Sequence, residues 1–354
     1  LKIEDYLAVP RILPFENNGI EAIDLFNYFY KIEHGYIEGE KLKELVKLNR
    51  KIIKKYGSKS NLDHWSRGVL PIKVVKELTK QGVKLDTDVK IKFSGNSKPL
   101  PRIIKLDKEF LEFLGLWLAD GCYDKNSAII SVVDEGSRNV VRSIAERFGI
   151  NVRMHSDGIS LILHSGTLKN IMKIVGFTGN AYTKQIPRWV FGLSKDQLSH
   201  FLRGIFSGDG YLASSEAAIS LVSENMTKDI QSLLLMFGII SRINRINKKD
   251  KTYSCRISQL DSLNKFKEIG FLQQGRMIKL SNICKKISTH DSTDVIPLSE
   301  ELKRTIKEEY HQFSYTDYIT RGNNVGRKKL VQISKELQNP QLAENLFLLA
   351  NSDI

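Results

Sequence analysis

Residues 114–121 read LGLWLADG and residues 203–210 read RGIFSGDG, so the second stretch follows the first at an offset of 89 residues. At this offset a glycine, an aspartate and a final glycine recur in register. The register continues as far as a Phe-Gly-Ile tripeptide at residues 148–150 and 237–239. A match that extends well beyond one motif indicates an internal duplication.

The duplication predicts two similar α+β units. Helical apolar spacing at residues 140–148 and 230–237, and alternation at 159–163 and 252–258, give each copy the order helix, hairpin, helix, hairpin, helix. The offset grows to 94 at residues 270–271, and an enlarged hairpin at residues 248–251 accounts for the extra length. The sequence therefore predicts two pseudo-symmetric αββαββα repeats, at residues 106–197 and 198–289.

The first helix of each repeat, at residues 110–121 and 198–210, is apolar on nearly every side and is expected to be buried. Small residues at a spacing of four predict that the two helices pack with their backbones close together: Gly115, Ala119, Gly204 and Gly208.

An aspartate ends each of these helices, where the helix dipole disfavours negative charge. Asp120 and Asp209, brought together at two helix ends, would repel each other unless a divalent cation lay beside them, and oxygen ligands suit Mg²⁺. The alternative is that each Asp-Gly pair only stops a helix, with the glycine in a left-handed cap conformation.

Both stretches resemble the dodecapeptide motif of the LAGLIDADG homing endonucleases, the second more closely than the first. Residues 184–187, KQIP, also resemble the Lys-x-Ile-Pro block that this family places shortly before its second motif. The resemblance covers about residues 106–286. It implies a saddle-shaped core of two repeats, acting as a site-specific endonuclease that makes double-strand breaks in a long, asymmetric DNA target.

The resemblance also implies the roles of individual residues. The metal ligands expected from it are Asp120, Asp209, Ala119 and Gly208, with Mg²⁺ as the cofactor and Mn²⁺ as a substitute. Lys184 is expected to be the basic catalytic residue that helps to stabilise charge near the scissile phosphate. Its partner in the second repeat is expected to be Lys279, and the alternatives are Arg276, Lys285 and Lys286.

Alternation along the hairpins predicts which side of each sheet faces the core. One face is expected to be buried: Val152, Met154, Leu161 and Leu163 in the first copy, and Ile243, Tyr253, Cys255 and Ile257 in the second. The opposite face carries polar side chains that suit the edges of bases in a DNA major groove. The DNA-binding candidates on that face are Arg153, His155, His164, Arg242, Asn244, Arg256 and Ser258, and Lys251 in the enlarged hairpin is a further candidate.

The net charge of +14 favours a polyanionic partner, and the positive charge is local. Residues 41–105 carry 18 Lys or Arg against 5 Asp or Glu, and residues 241–286 carry 12 against 3. Residues 1–105 are expected to form a basic, helix-turn-helix-like module. Residues 290–354 are expected to be helical, with Arg327 and Lys328 as DNA contacts, although solvated faces explain basic runs equally well.

The expected partner is double-stranded DNA, bound by a monomer with no obligatory protein partner and no membrane contact. Cys122, Cys255 and Cys284 lack a paired or zinc-binding spacing, and no signal or membrane segment is evident, which favours a cytoplasmic protein. Two other functions stay open: a noncatalytic DNA-binding regulator and an RNA-binding splicing maturase. The flanks resemble archaeal inteins that carry such endonucleases, but residues for protein splicing are not evident, so an intein or an intron origin is also open.

Overall fold

A computed structural model describes residues 13, 19–93, 97–247, 252–286 and 295–352. The elements of the N-terminal part are, in chain order, β1 (Ala22–Asp24), β2 (Tyr36–Glu38), α1 (Leu42–Leu48), α2 (Arg50–Ile53), α3 (Lys59–Trp65), β3 (Val69–Pro71), α4 (Ile72–Lys80), β4 (Lys90–Lys92), β5 (Leu100–Pro101) and β6 (Ile103–Lys105). The strands form two small antiparallel sheets, one pairing β1 with β6 and one with the strand order β3-β2-β4-β5.

The two repeats follow with the predicted order of helices and strands. The first contains α5 (Lys108–Asp120), β7 (Gly121–Asp124), β8 (Ser127–Ser131), α6 (Glu135–Arg147), β9 (Val152–Met154), β10 (Ser160–Leu163) and α7 (Gly166–Ile174). The second contains α8 (Lys195–Asp209), β11 (Gly210–Leu212), β12 (Ala217–Leu221), α9 (Glu224–Met236), β13 (Arg242–Asn247), β14 (Thr252–Ile257), α10 (Leu260–Ile269) and α11 (Gln274–Lys286).

The C-terminal part is mainly helical and has a hydrophobic core of its own, centred on Ile306, Phe313 and Leu330. Its elements are β15 (Val295–Ile296), α12 (Glu300–Glu309), a π-helical turn (Thr316–Thr320), β16 (Val325–Gly326), α13 (Arg327–Glu336) and α14 (Pro340–Asn351). By contrast, one continuous core joins the N-terminal part to both repeats.

The sheets of the two repeats have the same topology. The strand order is β7-β8-β10-β9 in the first repeat and β11-β12-β14-β13 in the second, and every pairing is antiparallel. The predicted α+β class and the internal duplication are therefore confirmed. The enlarged hairpin at residues 248–251 lies outside the described residues.

Helices α5 and α8 pack against each other so closely that only glycine fits at their crossing. A Cβ added to Gly115 would lie 2.2 Å from the Phe201 carbonyl oxygen, and one added to Gly204 would lie 2.2 Å from the Glu112 carbonyl oxygen. Such contacts are far inside van der Waals distance, and the neighbours are backbone atoms that cannot rotate away. The predicted close approach of the two helices is confirmed.

The left-handed glycine cap does not occur at either helix end. Gly121 has φ −91° and ψ 153°, and Gly210 has φ −76° and ψ 153°, so both are extended and lead directly into a strand. Glycine is required there for space, because a Cβ would lie 2.4 Å from the carbonyl oxygen of Trp117 or of Phe206.

The side of each sheet that packs on the core is largely as predicted. Leu161, Leu163, Cys255 and Ile257 are fully buried. Met154 is an exception: it is 38% exposed, because it ends the short edge strand β9.

One buried ion pair crosses the interface between α5 and α8. Glu112 is 1% exposed, and its Oε1 accepts a hydrogen bond from Arg203 Nη1 at 3.0 Å. Arg203 also donates to the carbonyl oxygens of Glu268 and Ile269, which end α10. At the 89-residue offset, Phe201 and Leu114 replace these charges, so the pair has no symmetric copy.

The N-terminal helices differ from a simple helix-turn-helix motif. Residues 66–71, which include strand β3, separate α3 from α4, whereas a helix-turn-helix joins its helices by a short turn. The small sheet around β2 was not predicted, because its strands are only two or three residues long. In the described part of the chain, no helix has both the length and the apolar character to cross a membrane.

We expect Gly204→Ala to destabilise the protein by about 1–3 kcal/mol, because the added methyl group forces the two backbones apart. The control is Gly275→Ala in α11, where nothing lies within 4 Å of the added Cβ and alanine favours the helix. Urea unfolding followed by circular dichroism measures both free energies. Equal stability of the two variants would contradict the proposed glycine contact.

Candidate functional site

The site lies where α5 and α8 end side by side. A Cβ added to Gly208 on α8 would lie 2.5 Å from the Ala119 Cβ and 3.2 Å from Asp120 Oδ2 on α5. Asp120 is exposed at the helix end and Asp209 is half-buried. The close packing of the helices thus brings one aspartate from each repeat to the same place.

Both carboxyl groups resist ionisation in this position. Burial among protein atoms raises the pKa of Asp120, although one side of its side chain reaches solvent, and the positive charge of Lys184 opposes the shift. Burial together with the negative charge of Asp120 raises the pKa of Asp209 to about 7, again opposed by Lys184. A bound cation would favour the ionised form of both carboxyl groups and lower their pKa values.

Lys184 is the cation at this site, and it is 4% exposed. Its Nζ donates to the carbonyl oxygens of Trp117 at 3.1 Å, Ala119 at 3.1 Å and Gly121 at 2.7 Å, and it lies 4.9 Å from the centre of the Trp117 ring. It thus binds carbonyl oxygens at the end of α5 and at the start of β7, including that of Trp117, which also accepts the backbone N–H of Gly121. Burial lowers the pKa of Lys184, and the charges of Asp209 and Asp120 oppose that shift.

Arg276 makes the equivalent contacts in the second repeat. Its Nη1 donates to the carbonyl oxygens of Phe206 at 3.4 Å, Ser207 at 3.2 Å and Gly210 at 3.0 Å. Phe206 and Gly210 correspond to Trp117 and Gly121 at the offset of 89 residues.

Arg276, one of the alternatives to Lys279, is therefore the residue whose contacts match those of Lys184. Lys279 Nζ contacts the Leu212 carbonyl oxygen at 2.7 Å instead, farther along β11. The 94-residue offset did not locate this residue, because Arg276 lies on a long helix, α11, whereas Lys184 lies in a loop. Lys285 and Lys286, the remaining alternatives, end α11. A catalytic role for any of these residues stays a prediction.

The donor set at the two helix ends suits a hard divalent cation. Two carboxylates and nearby backbone carbonyls are all oxygen ligands, the kind that Mg²⁺ prefers. The Ala119 carbonyl also accepts a hydrogen bond from Lys184, which leaves one lone pair for a metal. No group of three or more His, Cys, Asp or Glu side chains is arranged to hold a metal within the described ranges, so the two aspartates are the acidic ligands available at this site.

In the first repeat the predicted DNA-binding side chains lie on the sheet face away from the core. Arg153, His155 and His164 are exposed there. His155 Nδ1 lies 3.2 Å from an Asp157 carboxylate oxygen, and His164 Nδ1 lies 3.3 Å from the Ser127 hydroxyl. Both histidines therefore have a polar neighbour in the same repeat, Asp157 in the turn between β9 and β10 and Ser127 on β8.

The second repeat presents a similar face. Arg242 and Asn244 are exposed, and Arg256 and Ser258 are half-buried. Arg256 Nη1 lies 3.2 Å from Glu216 Oε1, an ion pair that sequence analysis missed because the two residues are 40 positions apart. Lys251 lies outside the described residues.

The two candidates in the C-terminal part have intramolecular contacts. Arg327 donates to the carbonyl oxygens of Leu349, Ala350 and Ser352 at the end of α14. Lys328 Nζ lies 3.0 Å from Asp261 on α10. These contacts give both residues a role in structure, and DNA binding by either of them stays a prediction.

Comparison with known families identifies the fold. Residues 196–270 match the LAGLIDADG-like domain. This match lies in the second repeat. The first repeat has the same strand order, and its first helix also ends in an aspartate. The LAGLIDADG resemblance seen in the sequence is therefore confirmed at the level of the fold.

Curated relatives match long parts of this chain. It is 27% identical to DNA-directed RNA polymerase subunit Rpo1C of Methanocaldococcus jannaschii over 72% of this chain and 30% of that protein. It is 26% identical to the uncharacterized protein MJ1054 of the same organism over 86% of this chain and 37% of that protein. It is 27% identical to the probable translation initiation factor IF-2 of Thermococcus kodakarensis over 86% of this chain and 26% of that protein. The chain therefore spans well under half the length of these relatives.

Solved structures with a similar arrangement share little sequence with this chain. The homing endonuclease I-DmoI in complex with DNA and manganese is 13% identical, with a TM-score of 0.35, over 47% of this chain and 97% of that chain. Full-length DUF199/WhiA from Thermatoga maritima is 15% identical, with a TM-score of 0.37, over 70% of this chain and 92% of that chain.

We expect Asp209→Asn to stabilise the metal-free protein at pH 8 by on the order of 1–3 kcal/mol. The folded protein holds a proton on Asp209 up to about pH 7, whereas an unfolded chain releases it near the ordinary value of 3.8. The free energy of unfolding therefore falls as pH rises between these values, and asparagine removes that loss. Urea unfolding in EDTA at pH 4 and pH 8 measures the effect, with exposed Asp63→Asn as the control. A gain that is the same at both pH values would contradict this electrostatic origin.

We expect Lys184→Met and Arg276→Met each to lower the free energy of unfolding by about 1–3 kcal/mol, because each change removes a charged donor from three carbonyl oxygens. Lys279→Met removes a single contact and is expected to cost less. Thermal melts of the three variants provide the comparison. If Lys279→Met proved as costly as Arg276→Met, the assignment of Arg276 as the counterpart of Lys184 would fail.

Proposed function

We propose that this protein is a site-specific DNA endonuclease that hydrolyses one phosphodiester bond in each strand of a duplex, with a divalent metal ion as cofactor. The observation that carries the proposal is the pair of aspartates at the ends of two close-packed, symmetry-related helices. Their raised pKa values show that this arrangement is electrostatically unfavourable in the free protein. Such a cost is typical of a site shaped for function.

Asp120 and Asp209 are the side chains that would hold the metal, with the carbonyl groups of Ala119 and Gly208 beside them. A bound Mg²⁺ or Mn²⁺ supplies neutralisation of charge at the scissile phosphate and lowers the pKa of water. Lys184 supplies a fixed positive charge at the same place, where burial strengthens its field toward a phosphate. The contacts of Lys184 with three carbonyl oxygens hold that charge in position.

The two outward sheet faces are the proposed DNA-binding surface. Strands fit a major groove, and the exposed Arg153 and Arg242 occupy equivalent edge positions in the two sheets. The approximate symmetry of the repeats matches the symmetry of a duplex, whereas their different side chains favour an asymmetric target. The basic N-terminal part and the C-terminal helices extend this protein beyond the two repeats and are proposed as additional contacts with the DNA backbone.

The names of the curated relatives support an intein-associated origin. A polymerase subunit and a translation factor have different activities, yet each matches this chain over only part of its length. One segment shared by such different proteins is best explained as an inserted element, and a homing endonuclease is an activity that spreads an insertion.

The proposal is tested by cleavage of a randomised duplex library large enough to contain a long target site. We expect the intact protein to make double-strand breaks at one sequence in Mg²⁺. Asp120→Asn and Asp209→Asn should each abolish cleavage or leave nicking, whereas exposed Asp63→Asn should cleave normally.

Other results would assign a different function. Selective binding of a duplex without cleavage in Mg²⁺ or Mn²⁺ would indicate a DNA-binding regulator. Preference for structured RNA over duplex DNA would indicate a splicing maturase, since a basic sheet can contact either backbone.

A further inference from the structure

The strand register of the first repeat places four residues in one row across the outward sheet face. Cys122 on β7 pairs with Ile129 on β8, Ile129 pairs with Ile162 on β10, and Ile162 pairs with Arg153 on β9. Directly opposite residues in an antiparallel sheet point to the same side. Cys122 and Arg153 are exposed, and the two isoleucines are half-buried. Three of the four positions are therefore apolar on a face whose other side chains are mainly polar.

The second repeat has the equivalent row with different chemistry. Tyr211 on β11 pairs with Ala218 on β12, Ala218 pairs with Arg256 on β14, and Arg256 pairs with Arg242 on β13. The offsets of 89 and 94 residues relate each member to its counterpart in the first repeat.

The two rows are alike on strands β9 and β13 and differ on the inner strands of the sheets. An arginine occupies the outer strand in both rows, as Arg153 or Arg242. On the inner strands, however, Ile129 and Ile162 in the first repeat correspond to Ala218 and Arg256 in the second. One face thus presents branched apolar side chains where the other presents a small residue and a guanidinium held by Glu216.

We propose that Ile129 and Ile162 determine specificity by contacting thymine methyl groups in the half of the target that binds the first repeat. The inference rests on the proposed function, because it requires a sequence-specific duplex. The methyl group of thymine is the apolar feature that a base pair presents in the major groove. Arg153 in the same row supplies a positive charge for the neighbouring phosphate or guanine, which directs this apolar patch toward DNA.

The equivalent half of the target should be recognised differently. Arg256 and Arg242 present donors that suit the O6 and N7 acceptors of guanine. Ala218 offers little apolar surface by comparison. The two half-sites should therefore differ in their dependence on methyl groups, which gives an internal control within one complex.

The test replaces thymine with deoxyuracil in a selected target, because this change removes only the methyl group. Binding is measured by fluorescence anisotropy with Ca²⁺ in place of Mg²⁺, for targets substituted in one half or in the other. In the half that binds the first repeat, we expect substitution to weaken binding about threefold to fivefold per contacted thymine. In the half that binds the second repeat, we expect substitution to change binding less than twofold.

Protein variants assign that effect to the isoleucine row. In the double variant Ile129→Ala, Ile162→Ser, deoxyuracil should no longer weaken binding. The double variant Ile129→Val, Ile162→Val should retain most of the deoxyuracil effect. Melting temperatures establish that both variants fold. Arg256→Gln should leave the deoxyuracil effect unchanged, since that residue belongs to the other sheet.

The outcomes separate this inference from the proposed function. Specific binding that is insensitive to deoxyuracil, or a methyl effect that persists in the Ile129→Ala, Ile162→Ser variant, would overturn the inference alone. The absence of any sequence-specific duplex binding would overturn the proposed function and the inference together.

Discussion

The structure depends on the contact between Gly115 and Gly204, where two helix backbones meet with no side chain between them. This contact sets the separation of α5 and α8, and hence the separation of everything attached to their ends. Because each helix leads directly into the first strand of its sheet, the same contact also fixes where the two sheets begin. Packing in the interior thus determines the geometry of a site at the surface.

Close packing has an electrostatic consequence at the helix ends. Asp120 and Asp209 lie near each other and near carbonyl groups, and Lys184 is the cation that opposes the shift in both carboxyl groups. Arg276 binds the end of α8 in the same way that Lys184 binds the end of α5. The two halves therefore bind the carbonyl groups at a helix end with two different basic residues. That substitution makes the site similar in shape on its two sides but unequal in chemistry.

The sequence predicted the features that repeat or follow a period. The duplication, the order of elements, the close helices and most core positions of the sheets followed from the offset and from alternation. Arg276 was not chosen as the counterpart of Lys184, because its position depends on the length and direction of α11. The contacts of Arg327 and Lys328 were not predicted either, because their partners lie more than 20 positions away in the sequence. Short strands such as β3 carry too few residues for a period to appear.

The buried pair between Glu112 and Arg203 makes the association of the two helices directional. An α5 helix placed against a second copy of itself would bury Glu112 opposite Leu114, and a pair of α8 helices would bury Arg203 opposite Phe201. The first arrangement would leave the Glu112 carboxylate buried without its partner, at a cost on the order of several kcal/mol, as expected for a broken buried pair. The second would leave the partly exposed Arg203 without a carboxylate. Although the two repeats are similar, Glu112 and Arg203 thus favour pairing of the first repeat with the second over pairing of either repeat with a copy of itself. Neither residue is one of the two aspartates at the helix ends.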